Sequence, residues 1–254
     1  MKDTNLNLLR WAEHFRRNQE GRDEPEWEAE ITLAPEVVRK LLPSLAQFEL
    51  GDGGGPAYLI AWNRERFLAQ PGARELVDLW FKEEEEHSRL LGDMLSRLGG
   101  EKVEGHWSFS IFCAVRKLLG VAFELRTLLL TEIVSNVYYK LLLKHGADKD
   151  VALAQMCRLV IRDETGHIAF HRDRLRRNRT GFGLLWRSFF RLMGLAAGTM
   201  LWVNHRSAVI ALGGSTREFY RGILGDMTSF LRSLRTSKHR QSEPVGHGPH
   251  PQHN

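Results

Sequence analysis

Only two cysteines, Cys113 and Cys157, occur among the 254 residues. They form no CxxC pair and provide no disulfide framework, which fits a reducing, cytoplasmic setting. Strand signals are also scarce: runs in which apolar and polar residues alternate are hard to find. The first segment, "MKDTNLNLLRWAEHFRRNQE", has no long apolar core and no small-residue cleavage site, so no secretory signal is expected. The most apolar stretch, "FFRLMGLAAGTMLWV", has 15 residues with Arg191 inside it. It is short for a transmembrane span, though it would suit a helix lying on a membrane. No aromatic–basic RNA-binding motif is present, and no nucleic-acid partner is expected.

What the chain does have is helical periodicity. Apolar residues recur at i, i+3, i+4 and i+7 between Gly and Pro breaks, which predicts an all-α protein. A first helix is expected over Asn5–Asn18, followed by the linker "EGRDEPEWEAE". A second starts at Ala34-Pro35, where Pro suits a first turn, and runs towards Ala69, weakened by "GDGGGP". Helices follow over Ala73–Leu98, Phe109–Lys144 and Val151–Arg177. Two more, "LLWRSFFRLMGLAAGTMLWVNHRSAVIAL" and "STREFYRGILGDMTSFLRSLR", complete the set, the last opened by a capping box of Ser215 and Glu218. The expected organisation is an N-terminal helix and linker (1–30), a central bundle (31–180), a C-terminal helical extension (181–236) and a disordered Pro/Gly/His-rich tail (237–254). The tail histidines His239, His247, His250 and His253 read as solvated residues.

Charge is uneven. From Arg158 to Arg240 there are 16 Lys and Arg against 5 Asp and Glu. Such a balance suits an acidic partner, whether a membrane surface, a nucleic acid or an acidic carrier protein, or simply a solvated basic face.

The chemistry-bearing signal is an internal echo. "FKEEEEHSRLL" holds Glu84 and His87 in an E-x-x-H relation, and "VIRDETGHIAFH" holds Glu164 and His167 in the same relation 80 residues later. Three residues is about one helical turn, so each Glu and His share a face and can hold one metal ion. Each pair also has an acid 32 residues upstream, Asp52 for the first and Glu132 for the second. Antiparallel helix pairs would bring each acid level with its E-x-x-H. Four carboxylates and two imidazoles in a bundle interior match the ligand set of di-iron and di-manganese carboxylate sites.

The segments "SLAQFELGD", "LWFKEEEEHSRLL", "LLTEIVSNVYYKLL" and "RDETGHIAFH" give the chain, over about Leu42–Leu175, a resemblance to the ferritin-like superfamily, in particular to bacterial ferritin-like proteins that form no cage. The resemblance implies a ferritin-like four-helix bundle, here with added N- and C-terminal helices, and two iron ions, or a Mn/Fe pair. It implies Asp52, Glu84, His87, Glu132, Glu164 and His167 as metal ligands. The first ligand in that superfamily is most often Glu. Here it is Asp52, among glycines and close to Pro56, with Glu49 one turn earlier as the alternative.

Asp163 and Glu83 each precede a ligand glutamate and are expected to orient ligand imidazoles. His171, Tyr138 and Tyr139 read as a polar-face residue and two core aromatics. Gly166 would open a channel or permit a helix contact.

Three functions are compatible with this pattern: an O2-activating oxidase or oxygenase acting on a small organic or acyl substrate, a ferroxidase or iron-handling protein, and a helical interaction protein with a structural or lost metal site. The extra C-terminal helices favour the first, since they would build an apolar pocket from Leu184, Phe189, Met193, Leu201 and Trp202. An oxygenase would need an external electron donor. Arg172, Arg174, Arg176, Arg177 and Arg179 would form a basic collar for an acidic acyl carrier protein, and a homodimer is a further expectation.

Overall fold

The computed structural model describes residues 7–53, 58–177 and 183–234. Among them are nine helices and no strand: α1 (Leu8–Asn18), α2 (Pro35–Gly53), α3 (Glu65–Leu68), α4 (Ala73–Arg97), α5 (Trp107–Lys117), α6 (Val121–Gly146), α7 (Val151–Arg177), α8 (Leu184–Leu212) and α9 (Thr216–Ser233). No helix among the described residues is long and apolar enough to cross a membrane.

The predicted ends of α4 and α7 hold to within a residue. Half of the expected α9 capping box forms: Ser215 Oγ accepts from Glu218 N at 3.3 Å, while the Glu218 carboxylate accepts from the Ser215 hydroxyl at 3.0 Å instead of its backbone N–H. Two expectations fail. The single helix predicted over Phe109–Lys144 is two, because Gly120 adopts φ +81°. Asn63 Oδ1 accepts from Val121 N at 2.6 Å beside that break, and a side chain at position 120 would collide with Asn63. The helix predicted to run to Ala69 stops at Gly53, and only the short α3 follows the glycine-rich stretch.

Packing follows a closed order of neighbours. α2 packs on α4, α4 on α7, α7 on α6, α6 on α8, and α8 back on α2. The α2–α4 pair is antiparallel, since Glu49 meets Ser88 while Leu42 meets Gly100. The α6–α7 pair is also antiparallel: Ser135 meets Glu164 and Leu125 meets Arg174. One large apolar cluster, including Leu45, Leu90, Tyr138, Val160 and Phe219, fills the side towards α8 and α9. Burial of such groups stabilises by about 1.5–3 kcal/mol per large side chain. A second cluster, with Phe15, Trp80 and Phe170, seats α1 against α4 and α7. The linker after α1 is tied down by Arg97, which donates to the carbonyls of Trp27 and Ala29 and pairs with Asp150 at 3.0 Å.

Candidate metal centre

Helical periodicity aims both E-x-x-H motifs inward from α4 and α7. His87 Nδ1 lies 3.5 Å from Glu84 Oε2, and His167 Nδ1 lies 3.2 Å from Glu84 Oε1. One carboxylate therefore reaches both imidazoles. Glu132 and Glu164 each place an oxygen 3.9 Å from His167 Nδ1. Two groups emerge, Asp52–Glu84–His87 and Glu84–Glu132–His167, each with donor atoms within 4.8 Å of one another. All six residues singled out in the sequence thus lie around one interior point. Glu49 is drawn elsewhere: it accepts from Lys102 Nζ at 2.6 Å and from Ser88 Oγ at 3.1 Å.

The outer nitrogens are held crosswise. Asp163 on α7 meets His87 Nε2 of α4 at 3.1 Å, while Glu83 on α4 meets His167 Nε2 of α7 at 2.8 Å. Each acid fixes the imidazole of the opposite helix, so each ring turns Nδ1 inward. Asn18, at the end of α1, donates to both acids at 2.8 Å, and Arg22 also pairs with Asp163. Asn18 and Arg22 had no sequence signal, for nothing local links them to residues 65 to 145 positions away. Gly166 proves to be a packing position: a Cβ there would fall 3.3 Å from His14 Nε2 of α1.

His171 is fully buried, which overturns the polar-face expectation. Arg174 donates to its Nδ1 at 3.1 Å, so Nδ1 must accept and the proton sits on Nε2. That Nε2 lies 3.5 Å from Glu132 Oε2. His171 therefore turns an N–H towards the Glu132 carboxylate without bonding it, rather than offering a lone pair. Tyr138 and Tyr139 are core residues, as expected. Tyr138 Oη lies 2.5 Å from Ser44 Oγ, while the Tyr139 hydroxyl is buried without a hydrogen-bond partner among the described residues.

The electrostatics are those of crowded acids. Burial pushes Glu132 up to about 8 and Glu164 well above the carboxylate range, the latter reinforced by Glu84. Burial and Glu84 raise Asp52 in the same way. Burial would raise Glu84 too, but the adjacent His167 and His87 imidazoles override it and hold Glu84 low. Burial pulls both imidazoles down, yet the hydrogen bond to Asp163 raises His87, that to Glu83 raises His167, and the nearby Glu84 carboxylate raises both. Several inward atoms have no hydrogen-bond partner among the described residues: His87 Nδ1, His167 Nδ1, both Glu132 oxygens and Glu164 Oε2. Unsatisfied buried polar atoms of this kind are costly.

A cavity of about 380 Å³ reaches the carboxylates of Asp52, Glu84, Glu132 and Glu164. Its other walls are largely apolar, from α5, α6 and α8. Met193 and Leu201 line it as expected. Trp202 does not: it stacks on Phe219 at 4.9 Å in the core. Phe189 is exposed outside the cavity, and the Leu184 side chain lies outside the described residues.

The basic collar is smaller than expected. Arg174 is buried against His171 and the Leu125 carbonyl, and Arg176 donates to the Ser233 carbonyl at the end of α9. The Arg177 side chain and Arg179 fall outside the described residues, as does the tail over 237–254. No family model matches the chain, and neither a curated protein nor a solved structure is found similar to it.

Proposed function

We propose that the protein is a ferritin-like di-iron carboxylate oxidoreductase that activates O2 against an apolar organic or acyl substrate. The observation that carries this reading is the set of unpartnered donors: two imidazole Nδ1 atoms and carboxylate oxygens aimed at one buried point, each imidazole's far nitrogen already held by an acid. Such an arrangement is costly without cations and well satisfied with them. Four carboxylates, from Asp52, Glu84, Glu132 and Glu164, offset the charge of two divalent ions. The mixed oxygen and imidazole donors suit iron or a Mn/Fe pair. In this reading α2, α4, α6 and α7 are the four bundle helices, with α8 filling the side between α2 and α6.

Asp52, Glu84 and His87 would hold one ion, and Glu132, Glu164 and His167 the other, with Glu84 placed to span both. Bound iron supplies the reduction of O2 and the oxidising power for attack on substrate. The protein's part is orientation and exclusion of water. Trp80 Nε1 donates to Glu84 Oε1 at 3.1 Å and Ser135 Oγ to Glu164 Oε1 at 3.2 Å, fixing two carboxylates from outside. The apolar cavity holds substrate beside them. Electrons come from an external donor, because the sequence carries no flavin or iron–sulfur motif. A ferroxidase reading shares the metal site but leaves the apolar cavity without a purpose.

Metal analysis of the purified chain, followed by O2 uptake after Fe(II) addition, tests the reading. Two irons per chain and reductant-dependent turnover of apolar compounds are expected. Loading without O2 uptake would contradict it. Oxidation of Fe(II) that stays stoichiometric and never supports substrate turnover would point to iron handling instead.

A further inference from the structure

The mouth of the cavity lies in an unusually apolar surface. On α5, Trp107, Ile111, Ala114 and Leu118 follow i, i+4, i+7, i+11 spacing, share one helix face and are all exposed. The other side of α5 turns Phe109, Phe112 and Val115 into the cavity wall. The first half of α8 repeats the pattern with Leu185, Phe189, Leu192 and Ala196, again all exposed. Ile111 and Ala196 are exposed and both line the cavity, so each stripe borders it where it meets the surface. The loop before α3 adds Trp62, which Asn63 holds near the α5–α6 corner through its bond to Val121. Exposure here is large: Leu185 88%, Trp62 76%, Leu119 71%, Leu118 65% and Leu192 64%. Large apolar patches on a soluble surface mark interaction sites.

The charges decide between occupants. The sequence has no acidic residue between Glu104 and Glu124, and none between Asp173 and Glu218. These two spans contain both stripes, and they carry the exposed Lys117 and the half-buried Arg191. A second copy docked here would bring cation against cation. An anionic headgroup layer complements the cations while its acyl region receives the leucines and tryptophans.

We propose that the outer faces of α5 and the first half of α8, with the Trp62 loop, dock on an anionic lipid bilayer and set the cavity mouth against it. Docking needs no metal and does not depend on the di-iron reading. Its corollary, that substrate enters from the lipid phase, does rest on that reading. Both helices would lie in the interface, in keeping with the absence of a spanning helix among the described residues.

The test is cosedimentation of the full chain with phosphatidylcholine vesicles, with and without phosphatidylglycerol, at low and high salt. Binding to anionic vesicles is expected to exceed that to neutral ones by about tenfold and to weaken with salt. Leu118→Glu/Leu119→Glu and Leu185→Glu/Leu192→Glu should each cut binding by about tenfold with circular dichroism and Tm unchanged. Quenching by acyl-brominated lipid, diminished in Trp62→Phe/Trp107→Phe, gives a second readout that requires no charged substitution. Absence of binding to every vesicle would overturn the proposal, as would wild-type binding by folded Glu variants. So would a lipid-free dimer that the Glu substitutions dissociate, which would show that a second copy covers this face.

Discussion

Asp52 and Glu132 hold equivalent places, each 32 residues ahead of its E-x-x-H glutamate, yet their surroundings differ. Asp52 sits on the last turn of α2, beside glycines, and is only partly buried. Glu132 lies mid-helix, buried, with the Arg174–His171 pair behind it. His167 is further sealed by Phe15 of α1, ring centroids 5.5 Å apart. The two copies of the motif thus differ at the upstream acid, which is less buried on the His87 side than on the His167 side. In the di-iron reading, the ion beside His87 is the more exchangeable and the ion beside His167 the more firmly held.

The largest effect should come from the residue both halves share. Glu84→Ala removes the carboxylate that faces both imidazoles, and iron content should fall from about two per chain to near none, measured by elemental analysis. Asp52→Ala should separate the halves: about one iron per chain should remain, held on the His167 side, while Glu132→Ala weakens that side instead. Equal losses in the two variants would erase the distinction. Asp163→Asn and Glu83→Gln should each lower metal affinity about 10- to 100-fold, each acting on the imidazole of the opposite helix. Titration by calorimetry, with the histidine signals followed by NMR, would show which ring is released.

Proton occupancy gives a further test. Glu132 has its ordinary value of 4.5 when unfolded and about 8 when folded, so between these pH values the folded state binds more protons. Stability of the metal-free protein should therefore fall as pH rises from about 5 to 8. The raised histidines act in the same direction, their stabilisation being lost as pH rises through the folded value. Iron-loaded protein should show a much flatter Tm profile over that window, since its ligands are already deprotonated. The smallest effect is expected from Asn18→Ala, which removes one amide from two buried acids and should cost about 1–3 kcal/mol in denaturant unfolding.

Much of this arrangement was legible because it is periodic. The 3.6-residue pattern located α4 and α7, and the 80-residue echo picked out the six inward residues before any helix was packed. The equal 32-residue spacing favours Asp52 over Glu49. What could not be read depended on contacts between distant segments. Asn18 and Arg22 reach Asp163 only because Ala12 and Phe15 bury α1 against α4 and α7. The crosswise pairing of Asp163 with His87 and Glu83 with His167 needs the α4–α7 approach that local pattern does not specify. Gly120 looked like one more residue in a helical run, and its left-handed backbone follows from Asn63, 57 residues earlier. The arginines after His171 read as a solvated collar because composition does not show that Arg174 turns inward.

The most direct measurement is anomalous diffraction at the iron edge from a crystal of the iron-loaded protein. Two ions about 3.5–4 Å apart among α2, α4, α6 and α7 are expected, ligated by Asp52, Glu84, His87, Glu132, Glu164 and His167. A single ion, no ion there, or iron held only by the tail histidines would contradict it.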